Sequence, residues 1–229
     1  MTAPDRRVLI VGYGRMGRVV ESLCPEFGMR VAGSVDVHNA ADPDSWPQAD
    51  VAIDFSQPDA VPVNLPRLAG RGMDVVVGTT GWQARAEALK QQVAQFPVGV
   101  VAASNFALGV NLFTALAEWA AELFAGRPEY GAWIHELHHA AKLDAPSGTA
   151  LTLRAAMEAA GYHQRIDVTS TRAGSIPGTH TLGFDGPGET ITLTHAARDR
   201  TIFARGALEA ARWVAGRRGW FSMRDVLGL

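Results

Sequence analysis

The chain has 229 residues, a formal net charge of −2 and 19% charged side chains, so it carries no basic field that would draw in nucleic acid or an anionic membrane surface. With 47% hydrophobic residues, it can bury one large core or two small ones. Its single cysteine, Cys24, excludes an internal disulfide framework and a cysteine-built zinc site. That residue falls in a predicted helix and reads as a small buried hydrophobe. No signal-peptide pattern precedes the first strand, and no apolar run approaches the roughly 20 residues that span a bilayer. The expectation is a cytoplasmic protein with neither a membrane nor a nucleic-acid partner.

Arg7 to Val11, RVLIV, is a β-branched run stopped by glycine and reads as a buried strand. GYGRMGRVVESLCPEFG follows and opens a helix at about Met16. MRVAGSVD is a second strand ending at Asp36, and ADVAIDFS and MDVVVGTT are two more. QPDAVPVNLPRLAGRG lies between those two and reads as a helix with Pro66 inside it. WQARAEALKQQVAQF is an amphipathic helix and VGVVAAS a fifth strand. Strand and helix alternate with short connections, which predicts a parallel sheet covered by helices on both faces.

After Asn105 the texture changes. LGVNLFTALAEWAAELF is one long helix, YGAWIHELHHA a strand, and SGTALTLRAAMEAAG a helix capped by Ser147. RIDVTSTRAG, THTLGFDG and ETITLTHAA are consecutive strands with glycine or proline between them, so a mixed or largely antiparallel sheet is expected. RTIFARGALEAARWVAGR reads as a final helix that closes the chain. The predicted fold class is α/β: a Rossmann-type parallel-sheet domain, and a second α+β domain with a mixed sheet. The boundary falls near Phe106.

Gly12-Tyr13-Gly14-Arg15-Met16-Gly17 is a G-x-G-x-x-G loop set between strand and helix. The first glycine permits a tight turn, the second lets backbone approach a pyrophosphate, and the third allows close helix–strand packing. Free N–H groups at the helix start attract phosphate. Asp36, about 20 residues further on at the end of the second strand, is placed to bind ribose hydroxyls. A carboxylate there suits NADH and repels the extra phosphate of NADPH, while Arg15 or His38 can offset that repulsion. Gly78-Thr79-Thr80-Gly81 and Ala103-Ser104-Asn105-Phe106 end the fourth and fifth strands, where an open α/β sheet binds ligands.

His135-Glu136-Leu137-His138-His139 matches H-E-x-x-H, a zinc signature that works only on a helix. The local sequence predicts a strand, on which His138 shares a face with Glu136 and Ile134. His163, the next histidine, lies beyond a separate helix, so a third ligand is missing and no metal is expected. Asp144-Ala145-Pro146-Ser147-Gly148-Thr149 is instead a turn that opens a helix. Its N–H groups and hydroxyls form a nest for a carboxylate, with the positive Lys142 nearby and a histidine able to donate a proton.

ELHHAAKLDAPSGTA resembles the E-x-H-H-x-x-K-x-D-A-P-S-G-T-A signature of the dihydrodipicolinate reductase family, also called 4-hydroxy-tetrahydrodipicolinate reductases. GYGRMGR, AIDFS, GTTG, SNFALGVNLF, TRAGSIPGTHTLGF, FARGALEAARWV and MRDVLGL extend the resemblance over nearly the whole chain. It implies an NADH- or NADPH-dependent reductase of lysine biosynthesis that acts on a cyclic dicarboxylate. His138 would be the proton donor, Lys142 its partner, and His139, Ser147, Gly148 and Thr149 the substrate-binding positions. The cofactor would be held by Gly12 to Gly17, Asp36, Gly78, Thr79, Thr80 and Ala103 to Phe106.

The resemblance further implies a nucleotide domain of residues 1–105 and 206–229, a substrate and oligomerisation domain of residues 106–205, and a homotetramer. The glycine loop is one residue shorter than in many members, and Val37 stands where some carry a basic residue; both bear on cofactor preference. The short segment after Asp36 implies a compact nucleotide domain. Two other classes share the first domain: a dehydrogenase of an amino-acid semialdehyde or inositol-type polyol, and a redox sensor that binds nucleotide without turnover. His138 and Lys142 beside a carboxylate nest argue against the sensor.

Overall fold

The computed structural model describes residues 5–229. Strands in chain order are β1 (Arg6–Val11), β2 (Met29–Val35), β3 (Val51–Asp54), β4 (Asp74–Val77), β5 (Gly99–Ala102), β6 (Gly131–His138), β7 (Ile166–Arg172), β8 (Thr179–Gly186), β9 (Glu189–Ala196) and β10 (Gly219–Phe221). Helices are α1 (Arg15–Leu23), α2 (Val61–Gly70), α3 (Ala86–Val93), α4 (Leu108–Phe124), α5 (Gly148–Ala159), α6 (Thr201–Trp213) and α7 (Met223–Leu227). The chain divides into two compact units, residues 1–107 with 203–229, and residues 108–202.

In the first unit six strands form one sheet in the order β10-β5-β4-β3-β1-β2, and every neighbouring pair is parallel. Parallel strands covered on both faces must be apolar throughout; β3 is buried at all four positions, and β4 at Val75, Val76 and Val77. One face packs Leu9, Val11, Ala52, Val75 and Val77 against Leu65 and Leu68 of α2 and Leu89 and Val93 of α3. Helix α2 runs through Pro66, which has no N–H to give to the preceding turn. Burial of Val61, Leu65, Leu68 and Ala69 on the same helix offsets that loss. β1 lies between β2 and β3, so the order of winding reverses beside its carboxyl end, where doubly wound sheets bind their ligands.

The sequence predicts a single closing helix at the end of this unit, and the structure corrects that. After α6 the chain forms β10 against the edge of β5, then α7. A three-residue strand is too short to show alternation. The signal for α7 lies in the S-x-x-D of Ser222 to Asp225, which forms a capping box.

The second unit holds a four-stranded sheet in the order β7-β6-β8-β9, mixed because β6 pairs parallel with β7 and antiparallel with β8. Alternation along β6 sends Ala132, Ile134, Glu136 and His138 to the buried face. There Ile134, Leu182 and Phe184 pack against Phe113, Ala117 and Ala121 of α4 and Ala150, Leu153 and Met157 of α5. The last two residues of that alternation are polar, and they form the centre of the site below.

Candidate active site

In the first unit the glycine loop follows β1 directly. Gly12 has φ +90°, and a Cβ there would stand 2.5 Å from the Phe55 carbonyl oxygen. A Cβ on Gly17 would stand 2.4 Å from the carbonyl oxygen of Gly12. Gly14 differs, because its Cβ position meets nothing within 4 Å. That space is open for a ligand to approach backbone. Gly14 caps α1 with no side-chain acceptor, and the first turn carries no acidic residue. Its N–H groups and positive helix end are therefore uncompensated by protein carboxylates, which fits a phosphate. Tyr13 sits under the guanidinium of Arg18 and bonds Glu21, while Arg15 is exposed.

Asp36 ends β2, half-buried, with Oδ1 accepting the His38 N–H at 2.8 Å. Val37 beside it is 88% exposed, and the Asn39 side-chain oxygen accepts the Asp36 N–H at 2.8 Å. At the tips of β3 and β4, buried Asp54 accepts from the Ser56 N–H and hydroxyl and from the Thr79 hydroxyl. Burial raises the Asp54 carboxyl, against those hydrogen bonds. Thr79 is thus turned inward, whereas Thr80 is exposed. A Cβ on Gly78 would overlap the Phe55 ring at 2.2 Å. Of the residues ending β5, Ser104 is exposed, and Asn105 accepts the Ala107 N–H. Phe106 is buried edge-on to Phe55 with ring centroids 6.5 Å apart. The Thr79 backbone is itself engaged, its N–H with the Asp54 carbonyl and its carbonyl with Trp82 Nε1.

The second unit gathers His138, Lys142, Ser147, Gly148 and Thr149 around the end of β6 and the start of α5. Glu136 is fully buried. It accepts from Arg172 Nη2 at 2.7 Å and Nη1 at 3.0 Å, from the Ser147 N–H at 3.2 Å, and pairs with His138 Nδ1. Burial pushes its carboxyl up, but hydrogen bonds from Arg172, Ser170 and His138 outweigh this and hold it at about 2. His138 is lowered, first by burial, then by Lys142 and Arg172, with Glu136 opposing. His180 stands edge-on to it, 5.1 Å between centroids, and its Nε2 lies 3.1 Å from the Ser147 hydroxyl. Burial, helped by His138, lowers His180 to about 4.

Ser147 caps α5 by accepting the Ala150 N–H at 3.2 Å. Nothing stands within 4 Å of a Cβ on Gly148, so the helix start is open. Lys142 bonds both oxygens of Asp144, at 2.7 and 2.9 Å. Asp144 is well exposed and such pairs contribute little, about 0.2–1 kcal/mol, so a ligand carboxylate can compete for the ammonium. His139 follows the strand, half-buried.

Sequence reasoning missed Arg172 and His180, because β-sheet register brings them in. His138 is opposite Arg172 and Glu136 is opposite His180. The H-E-x-x-H run lies on β6, not on a helix. Among the described residues, Glu136, His138 and His180 are nonetheless the group close enough to hold a cation. The Arg172 guanidinium covers both Glu136 oxygens, so a cation would face a fixed positive charge at its only carboxylate ligand.

A family model described as "Dihydrodipicolinate reductase, N-terminus" matches residues 6–106, and one described as "Dihydrodipicolinate reductase, C-terminus" matches residues 109–227. The chain belongs to the dihydrodipicolinate reductase family. A 4-hydroxy-tetrahydrodipicolinate reductase of Xanthomonas euvesicatoria is 40% identical over 99% of this chain and 100% of its own. One of Stenotrophomonas maltophilia is 41% identical with the same coverage. A solved dipicolinate-bound dihydrodipicolinate reductase from Paenisporosarcina shares the fold, with a TM-score of 0.80 at 22% identity over 96% of this chain and 98% of that one. Among the described residues of this family member, no helix is long and apolar enough to cross a membrane.

Proposed function

We propose that the chain is an NADH- or NADPH-dependent 4-hydroxy-tetrahydrodipicolinate reductase, converting dihydrodipicolinate to tetrahydrodipicolinate in lysine and diaminopimelate biosynthesis. One observation carries this from family to chemistry: a histidine locked to a buried carboxylate beside an open, positive helix start. The pyridine nucleotide supplies a hydride when bound, and the first unit has the fitting cradle. Gly12, Tyr13, Gly14, Arg15, Met16 and Gly17 hold the pyrophosphate, and Asp36 the adenosine ribose. Gly78, Thr79, Thr80 and the Ala103 to Phe106 turn hold the nicotinamide end.

In the second unit His138 and Lys142 are the catalytic residues. His138 carries the proton and gives it to the substrate ring. Lys142, with His139 and the Ser147, Gly148 and Thr149 helix start, binds the two carboxylates. A substrate anion adds the negative charge that this cationic surrounding lacks, which favours protonated His138 during turnover. We assign residues 1–105 and 206–229 to the nucleotide domain and 106–205 to the substrate and oligomerisation domain, in a cytoplasmic homotetramer.

The test is an assay with freshly generated substrate, following oxidation of NADH and NADPH. Replacing a general acid typically costs about 100- to 10,000-fold, so His138→Gln is expected to lose that much kcat with nucleotide affinity unchanged. Full turnover in the variant refutes the role. Cofactor oxidation indifferent to this substrate points to a dehydrogenase of another compound, and nucleotide binding with no turnover points to a sensor.

A further inference from the structure

Glu136 can offer two oxygens with about four lone-pair sites, and only when ionised is it a pure acceptor. Five donors surround it: Arg172 Nη1 and Nη2, the Ser147 N–H, His138 Nδ1 and the Ser170 hydroxyl. Every site is used, so the shared proton belongs to His138 Nδ1 and the free ring nitrogen is Nε2. That atom faces Gly178, whose φ of +148° is a glycine conformation and whose Cβ would stand 3.0 Å from Nε2. The missing side chain keeps the space before Nε2 clear.

We propose that Glu136, paired with Arg172, is the positioning residue of the proton donor: it fixes His138 as the Nδ1–H tautomer and leaves Nε2 as the one position where the ring takes and gives its proton. The proposal rests on the reading of His138 as donor. Arg172 has a distinct part in it. A buried carboxyl without a cation takes up a proton, and a protonated Glu136 would offer O–H to Nδ1 and reverse the ring. Arg172 also donates to the Asp144 carbonyl at 2.6 Å, so one side chain holds Glu136 and the turn that carries Lys142. The charged and titratable groups facing His138 are Glu136 on β6, Arg172 on β7, His180 on β8, and Lys142 with Asp144 on the following turn. Of these, Glu136 is the only buried anion, and it is the partner that stabilises an imidazolium.

The experiment compares wild type, Glu136→Gln, Glu136→Gln with Arg172→Gln, and His138→Gln in the full-length protein. The double variant removes both buried charges, so that a fold intolerant of an unpaired guanidinium can still be examined. Ring 15N shifts of His138 report the tautomer without turnover. The Nδ1–H signature is expected to give way to a tautomer mixture in both Glu136 variants. A misplaced or wrongly protonated general acid costs on the order of 100-fold, so kcat should fall by about that factor, with little change in KM. The alkaline limb of the kcat profile should move to lower pH, because the imidazolium has lost its anion. A purely structural role for Glu136 would not move that limb. Full turnover in His138→Gln overturns the donor reading on which the proposal rests. An unchanged tautomer and pH limb in both Glu136 variants, with His138→Gln inactive, overturns the positioning role alone.

Discussion

Asp36 is the residue proposed to set a preference between the two cofactors. Its carboxylate follows β2 directly, with one oxygen held by the His38 N–H, and in the proposed role it binds the adenosine ribose. The phosphate of NADPH would bring like charge close to it. At about 4 Å and an effective dielectric near 20, two unit charges interact by about 4 kcal/mol, and a tenfold preference needs about 1.4 kcal/mol. Arg15 and His38 are exposed, and in the proposed role they offset part of this. Both cofactors are expected to work, with NADH equal or better, and Asp36→Ser should raise the NADPH to NADH ratio of kcat/KM by roughly tenfold. An unchanged ratio would show that Asp36 does not read the ribose. Asp36 and His138 stand out in the sequence because their motifs are local. Arg172 and His180 do not, since each enters the site as a cross-strand neighbour of a residue more than thirty positions away.

At the scale of elements, the turn from β1 into α1 separates two uses of glycine. Gly17 and Gly12 are needed by the protein itself, because a Cβ at either would strike backbone at 2.4 or 2.5 Å. Gly14 faces open space. Gly17→Ala should therefore destabilise the fold by about 1–3 kcal/mol through overpacking, seen as a lower melting temperature of the free protein. Gly14→Ala should melt like wild type yet bind NADH at least tenfold more weakly. Equal nucleotide affinity in Gly14→Ala would mean that no ligand approaches this backbone. Such distinctions are not legible in a G-x-G-x-x-G pattern, which shows all three glycines alike. The alternation of β6 is legible in the sequence, and on its own it decides against a helical zinc motif. The three residues of β10 are not, as no period fits into so short a strand.

The two units carry buried ionisable groups of opposite response to acid. In the second, His180 is held at about 4 against an ordinary value of 6.5, and Glu136 at about 2 against 4.5. Both lie lower in the folded chain, so the unfolded chain binds more protons as pH falls. The His180 contribution is complete above pH 6.5 and is lost as pH falls towards 4; that of Glu136 follows between 4.5 and 2. In the first unit burial raises Asp54 and Asp74, and their effect has the reverse sign. Hydrogen exchange between pH 7 and 4 should accordingly show β8 amides losing protection before those of β3. Loss in the opposite order would show that His180 is not held neutral by the fold. Oligomerisation belongs to this scale too. Helices α4 and α5 pack on the Ile134 face, leaving Trp133, His135 and Leu137 half-buried on the other, and α4 exposes Leu112, Leu116, Trp119 and Leu123. Uncovered apolar surface of this kind favours self-association. Sedimentation at micromolar concentration should give a tetramer, and a stable monomer would remove that assignment.

The sequence by itself determined the elements whose period is long enough to read, the mixed character of the second sheet, the glycine loop with its acidic partner, and the signature that marks the family. Each is a local pattern, written over a few consecutive residues by backbone geometry and side-chain alternation. Tertiary structure alone decided that Glu136 is fully buried between Arg172 and His138, that it is held as a carboxylate there, and that His180 packs edge-on to His138. Those facts depend on strand register, which places Arg172 and His180 beside β6 and is set by the packing of the whole sheet against α4 and α5.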